Sequence, residues 1–492
     1  MIRLKKIVIV LNNKVIMSSS YPMYNIIACV NEEGIIGCNN DLFAKSSEDM
    51  KRFKKITTGS GKNVVIMGRK TWDSIPRGYK PLTDRINIVL SKNSDFECVG
   101  AIVCSSFQNA LKCCNEKIID EIFVIGGETL YTECFRNLKN IDRVYLTKIH
   151  KKASSYHGYK YFRFDDTHFT LLKNEEFRES VKIFDPQKNS YLEQECPVSY
   201  EVYSPTERVD EFQYLRSLKE VFEEGSIVQG RNGKTFSKFG MRMVYDLDRF
   251  PLLTTKKMGY KTILKELIWF LNGHTDNELL KEQNVHIWDG NSTREFLDSR
   301  GLDYPEGDLG PIYGFQWRNF GANYRGTKGN YEEGMDQIKY ILNEIKTNPT
   351  SRRIILSAWN PPDLEKMALP PCHVLSQYYV DSEKGTLSCQ LYQRSGDMFL
   401  GVPYNIASYS FLTYIFAHLT GYKPGKLIHI IGDAHIYEEH IEAVHTQLTR
   451  TPKLKPKMMI SDNLKDIDDV RVEHFTLEEY ESHEKIKAPM IA

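Results

Sequence analysis

The sequence predicts an α/β fold in which a mostly parallel sheet flanked by helices is followed by a second domain. Three observations predict it: a length of 492 residues, an alternation of short β-rich runs with helix-like segments from Tyr24 to about Tyr203, and a break in that pattern at Ser204-Pro205-Thr206. So long a chain exceeds one ordinary core, and two domains account for it. Hydrophobic residues at 41% and charged residues at 26% describe a folded globular chain rather than a disordered one.

The β-rich runs of the first domain are Ile26-Ala28, Val64-Met67, Ile86-Leu90, Ile122-Ile125 and Val144-Leu146, the spacing of a largely parallel sheet. A helical stretch from Glu211 to Glu224 opens the second domain. The expected division is an extension over 1–22, a first domain over 23–206 and a second over 207–492.

Charge and cysteine content narrow the function. A formal net charge of +1 points to neither nucleic acid nor a membrane surface, so anionic ligands must be held by local arginine clusters. The ten cysteines are scattered without a C-x-x-C pair, which suits a reducing, cytoplasmic setting and no metal. No apolar run approaches the length of a membrane span. Residues 1–20 lack acids, carry Arg3, Lys5, Lys6 and Lys14, and end in three serines, a composition found in organellar targeting segments. The plainer reading is an extension ahead of a start at Met17 or Met23.

In the first domain, Val64 to Met67 runs into Gly68-Arg69-Lys70-Thr71, a strand end with cations and a hydroxyl where a helix can begin. Unpaired N–H groups there suit phosphate, and glycine lets the backbone approach it. Gly126-Gly127 after Ile122-Ile125, and Ser91-Lys92 after Leu90, are two more such strand ends. Together they fit a phosphorylated dinucleotide, although Gly-Gly after a strand is ordinarily a plain turn. Ser47 to Thr57 reads as an amphipathic helix: Asp49, Phe53 and Ile56 share its apolar face, while Glu48, Arg52 and Lys55 fall on the wet side. An acid at a helix start is ordinarily a partner of the helix dipole, a role Glu48 can fill without Asp49.

Ile26-Ile27-Ala28-Cys29, Gly37 to Leu42, Asp49 with Phe53, Gly68 to Pro76, Pro81-Leu82 to Leu90 and Ile125-Gly126-Gly127 occur in the order found in dihydrofolate reductases, which the first domain resembles. The resemblance implies that Asp49 hydrogen-bonds the pterin and helps deliver its proton. It places Ile27, Ala28 and Phe53 at the folate, and Arg85 on the glutamate carboxylate. It assigns Gly68, Arg69, Lys70, Thr71, Ser74, Ser91, Lys92, Gly126 and Gly127 to NADPH. Burial of an acid among apolar groups raises its pKa and favours the protonated form that a reduction needs. The chain departs from the family where Leu42 is followed by Phe43-Ala44 instead of Pro-Trp, so a domain that only binds its ligands is the alternative.

The second domain carries Ala368-Leu369-Pro370-Pro371-Cys372-His373. A lone cysteine is ordinarily a core residue, but two preceding prolines hold this thiol at a defined position. His373 is not its base, because neighbours on an extended chain point to opposite faces. Cations from Gln393-Arg394-Ser395-Gly396-Asp397 and Ser351-Arg352-Arg353 can instead favour thiolate and grip a phosphate.

With Asp308 to Arg318, Gly401 to Ser408, Arg231, Glu266 and Gly432 to Tyr437, these motifs resemble thymidylate synthase from about Glu211 to Ala492. The resemblance implies an α+β domain in which Cys372 adds to C6 of dUMP and C5 attacks methylenetetrahydrofolate. Glu266 would manage protons through water, and Tyr313 would assist loss of the C5 proton. Arg231, Arg394 and Ser395 would hold the phosphate, with Arg352 and Arg353 arriving from the partner of a twofold homodimer. His435 and Tyr437 would bind the deoxyribose hydroxyl, Asp397 the pterin, and the tail ending at Ala492 would seal the site. Asn405 offers a donor and an acceptor, matching O4 and N3–H of uracil. Phe399 stands where the family has glycine. The expected whole is an enzyme that methylates dUMP and reduces the resulting dihydrofolate with NADPH. Hydroxymethyl transfer is a further reading of the same thiol and folate site.

Overall fold

The computed structural model describes residues 21–93, 95–115, 119–136, 138–153, 155–206, 209–230 and 233–491. The targeting reading of residues 1–20 and the roles expected of Arg231 and Ala492 fall outside them. The chain divides into two compact units, Met1–Arg208 and Val209–Ala492. Among the described residues no helix is long and apolar enough to cross a membrane.

The first unit is built on a nine-stranded sheet. Its strands in chain order are β1 (Tyr24–Asn31), β2 (Ala44–Ser46), β3 (Val64–Gly68), β4 (Ile86–Leu90), β5 (Ile102–Cys104), β6 (Ile122–Val124), β7 (Ile141–Ile149), β8 (Phe169–Asp185) and β9 (Ser190–Pro205). They lie side by side in the order β2-β8-β9-β7-β1-β6-β3-β4-β5. From β7 to β5 all neighbours are parallel; β9, β8 and β2 add an antiparallel edge. Val64, Val65, Ile66 and Met67 are wholly buried, as a parallel strand covered on both faces must be. The carboxyl ends of β1, β3, β4 and β6 therefore open on one edge, where ligands of such sheets bind.

Helix α1 (Ser47–Thr58) starts where Ser46 Oγ accepts the Asp49 N–H at 3.1 Å and stops at Gly59, whose φ of 53° few other residues adopt. Helix α2 (Arg69–Ser74) leaves β3 directly.

The second unit wraps helices round a six-stranded sheet: β10 (Ser226–Gly230), β11 (Gly233–Asp246), β12 (Ile355–Ser357), β13 (His373–Asp381), β14 (Thr386–Asp397) and β15 (Lys423–Tyr437). The spatial order is β10-β11-β15-β14-β13-β12, antiparallel throughout except for β14 beside β15. A helix over Gly401–Thr420 is apolar nearly all round and is correspondingly buried, packed on β14 and β15. The parallel register sets Ser395 beside Asp433 and Asp397 beside His435. Helices Tyr260–Leu271 and Tyr313–Asn319 pack on each other, and the first also packs on the Gly401–Thr420 helix.

Two candidate active sites

In the first unit, sheet register brings Asp49 its partners. Cys29 on β1 pairs with Thr147 on β7, and the Thr147 hydroxyl donates to Asp49 Oδ1 at 2.5 Å. Burial raises the Asp49 pKa, with Thr147 and the Arg52 cation opposing. Arg52 corrects the sequence reading: it is half-buried, its Nη1 donates to Thr147 Oγ1 at 3.2 Å, and its guanidinium lies 4.6 Å from the Tyr200 ring centre. Positions three apart on a helix are neighbours, so Arg52 shares the Asp49 face rather than the wet one. Glu48 and Lys55 are exposed as expected.

Phe53 follows one turn on, with the Arg85 guanidinium 5.8 Å from its ring centre; Arg85 Nη1 also donates to Thr57 Oγ1 at 2.7 Å. Ile27 and Ala28 are buried in β1, and the Ile27 carbonyl accepts the Tyr131 hydroxyl at 2.8 Å. Phe43, after Leu42, is core: 2% exposed and edge-on to Tyr159.

At the strand ends, the Gly68 N–H donates to the Gly126 carbonyl at 2.8 Å, joining two of the glycine turns. A Cβ at Gly127 would meet Thr71 Oγ1 at 3.3 Å, and Gly126 holds φ at 119°, so both turns present bare backbone. Ser74 Oγ donates to the Thr71 carbonyl at 2.7 Å. Arg69, Lys70 and Lys92 are exposed at this edge, and Ser91 is buried with its hydroxyl in a turn with Asn93.

In the second unit, the segments of Tyr313 and Arg394, distant in the chain, meet at Cys372. Tyr313 Oη accepts the Cys372 N–H at 2.7 Å and the His373 N–H at 3.3 Å. Arg394 donates from Nε to the Pro371 carbonyl and from Nη2 to the Pro370 carbonyl, each at 2.9 Å, leaving Nη2 3.8 Å from the Cys372 sulfur. Burial pushes the thiol pKa up and Arg394 opposes it. Arg352 and Arg353 do not converge here within one chain; both are exposed on the turn before β12. His373 is half-buried, and desolvation lowers its pKa to about 4.

Asn405 is fixed on both sides. Its Oδ1 accepts from Gln393 Nε2 at 2.9 Å and its Nδ2 lies 2.6 Å from His373 Nε2, while Gln393 Oε1 is 2.8 Å from His429 Nε2. Glu266 is 9% exposed, accepts the Trp288 indole N–H at 2.8 Å, and is raised by burial to about 7. Asp397 Oδ1 accepts the N–H groups of Phe399 and Leu400 at 2.9 and 3.1 Å. His435 packs edge-on against Tyr437 at 5.2 Å.

Sequence reasoning overlooked Lys256, whose buried ammonium donates to the Phe399 carbonyl, lies 3.7 Å from that ring's centre, and is lowered by burial to about 7. A lysine directly after Pro251-Leu252-Leu253-Thr254-Thr255 was the available signal. Gln393, Thr147 and His440 were also overlooked.

The family model described as thymidylate synthase matches residues 212–492, and that described as dihydrofolate reductase matches 23–191. The chain is 40% identical over 515 residues to "Bifunctional dihydrofolate reductase-thymidylate synthase 2" of Arabidopsis thaliana, covering 98% of this chain and 91% of that protein. This chain belongs to the bifunctional dihydrofolate reductase-thymidylate synthase family. It is 39% identical to the bifunctional proteins of Glycine max, with 94% of each chain covered, and of Leishmania major, with 91% of this chain and 89% of that one. It is therefore an enzyme with a reductase domain and a synthase domain, working on small molecules with nicotinamide and folate chemistry. No observation favours a reductase domain that only binds: Phe43 fills core, and Asp49 accepts the Thr147 hydroxyl.

Proposed function

We propose that the domain over 207–492 methylates dUMP to dTMP with 5,10-methylenetetrahydrofolate, and that the domain over 23–206 returns the dihydrofolate formed to tetrahydrofolate with NADPH. The observation that carries the synthase half is the grip of Tyr313 and Arg394 on the Cys372 segment, with Arg394 3.8 Å from its sulfur. A guanidinium beside sulfur stabilises thiolate. That thiolate adds to C6 of the pyrimidine, which makes C5 the nucleophile toward the folate carbon.

Asn405, held by Gln393 and His373, presents an amide to O4 and N3–H of uracil. Glu266, poised near neutrality, exchanges protons with the ring through water, and Tyr313 assists removal of the C5 proton. Arg231, Arg394 and Ser395 take the phosphate, His435 and Tyr437 the deoxyribose hydroxyl, Asp397 the pterin, and the tail to Ala492 covers the site.

The exposed Arg352 and Arg353 reach the site of a second copy. Ile355 pairs with Gln377 and Tyr392 with Leu375, so Ile355, Tyr379 and Tyr392 share one sheet face, all more than a third exposed. Apolar side chains on one open face fit a twofold interface through the synthase domain.

In the reductase domain, the bare turns at Gly68, Gly126 and Gly127, with Arg69, Lys70, Thr71, Ser74, Ser91 and Lys92, fit NADPH, which supplies hydride when bound. Ile27, Ala28 and Phe53 line the pterin side and Arg85 takes the glutamate tail. Asp49 holds the proton that reduction requires. The test is a separate assay of each half: Cys372→Ala must abolish dTMP formation and spare dihydrofolate reduction, and Asp49→Asn must do the reverse. Loss of both activities in either variant would contradict the assignment.

A further inference from the structure

The C-terminal tail is gripped by a histidine to which none of these roles falls. His440 is wholly buried, its ring 5.5 Å from that of Phe399 and 5.6 Å from that of Tyr437. Its Nε2 lies 2.8 Å from the Pro489 carbonyl oxygen, and its Nδ1 3.6 Å from Asp397 Oδ1. A carbonyl oxygen only accepts, so Nε2 carries a hydrogen. Asp397 Oδ1 accepts two backbone N–H groups, so a lone pair on Nδ1 would face a carboxylate oxygen unfavourably. At 3.6 Å the Asp397 contact is an ion pair rather than a hydrogen bond, and Nδ1 is buried without a hydrogen-bond partner, so the pair is favourable only when the ring is the imidazolium. Burial alone would lower the His440 pKa, but Asp397 and the Pro489 carbonyl outweigh it and hold it above the ordinary histidine value.

We propose that His440 is a positioning residue of the synthase domain that tethers the C-terminal tail, at Pro489, to Asp397, so that the tail and the pterin-binding carboxylate are set as one unit. The proposal rests on the reading of Asp397 and the tail given above. His440 touches no reacting atom; it acts through the two groups it joins. The charged and titratable groups around the tether are Asp397 on β14, the adjoining Glu439, His435 and Tyr437 on β15, and Lys256, whose ammonium is coupled to Asp397. Because the folded-state pKa of His440 is raised, the tether is complete at low pH and weakens as pH rises through that value.

The experiment is amide hydrogen exchange across residues 485–491 of the full-length protein, with KM for methylenetetrahydrofolate and Kd for dUMP, in His440→Leu and His440→Gln. Leucine supplies neither contact. Glutamine retains an N–H for Pro489 but no charge for Asp397. In His440→Leu the tail should exchange about tenfold faster and the folate KM rise about tenfold, with glutamine intermediate and dUMP binding unchanged. Unaltered tail exchange in a variant that still binds dUMP overturns the proposal. Faster exchange with an unaltered folate KM keeps the tether and refutes the folate reading of Asp397. If neither variant folds, tail exchange in the unmutated protein, corrected for intrinsic rate, must rise with pH through the His440 titration; a flat profile overturns the proposal.

Discussion

Arg394 stands with Nη2 3.8 Å from the Cys372 sulfur and is held there by the carbonyls of the two prolines that precede it. The same residue thus steadies the backbone before Cys372 and sets a positive charge near its sulfur. Arg394→Ala removes a cation from beside a half-buried thiol, so the Cys372 pKa should rise by about one unit or more. The pH dependence of alkylation by iodoacetamide measures it, and an unmoved midpoint would show that Arg394 does not activate the thiol.

Glu266 couples chemistry to stability. Its folded pKa, raised by burial to about 7, means that stability present at acid pH is lost as pH rises from the ordinary carboxylate range toward neutrality, at a cost of about 3 kcal/mol. Glu266→Gln should therefore lose less Tm than the parent between about pH 5 and pH 8 while synthase turnover collapses. Trp288→Phe removes the indole donor that lowers this pKa and should move the matching limb of the synthase pH profile upward. Equal Tm losses in parent and Glu266→Gln would contradict the buried carboxyl.

In the reductase domain, Arg52→Leu deletes a cation that lowers the Asp49 pKa. The falling limb of dihydrofolate reduction should then shift to higher pH, because the acid keeps its proton longer. Arg52→Lys should retain much of the parent profile. The check is kcat/KM against pH; a profile that Arg52→Leu leaves in place would separate Arg52 from the proton.

How much of this was legible beforehand depended on whether chain spacing alone defines a neighbour. Asp49, Phe53 and Ile56 recur at helical spacing, so their shared face was readable, and so were the strands that end at Gly68 and Gly126. Arg52 was misplaced because it satisfies the same spacing as a solvent-facing cation; only β7 and β9 opposite, with Thr147 and Tyr200, turn it inward. Cys372 was visible through its prolines. Gln393, Lys256 and His440 were not, because each matters through segments brought near by strand register or by the tail.

Asn405 should govern the choice of base. Asn405→Asp replaces the amide donor by an acceptor, so the preference for dUMP over dCMP should fall by about tenfold or more. Competition between the two nucleotides, read by product mass spectrometry, measures it and also separates methyl from hydroxymethyl products. An unchanged preference would remove Asn405 from base recognition.

The twofold reading makes a complementation prediction. Cys372→Ala and Arg352→Ala/Arg353→Ala should each be inactive as synthases. Subunits mixed and allowed to exchange should recover about one quarter of parental activity, through sites that draw a cysteine from one chain and arginines from the other. No recovery, with exchange verified by light scattering of tagged chains, would count against shared sites.

The most direct test of the whole account supplies the intact chain with dUMP, methylenetetrahydrofolate and NADPH and follows dTMP and NADP+ together. The account predicts equal amounts of the two, with Cys372→Ala silencing both until dihydrofolate is added, when NADPH oxidation alone returns. Formation of dTMP without matching NADPH oxidation would contradict it.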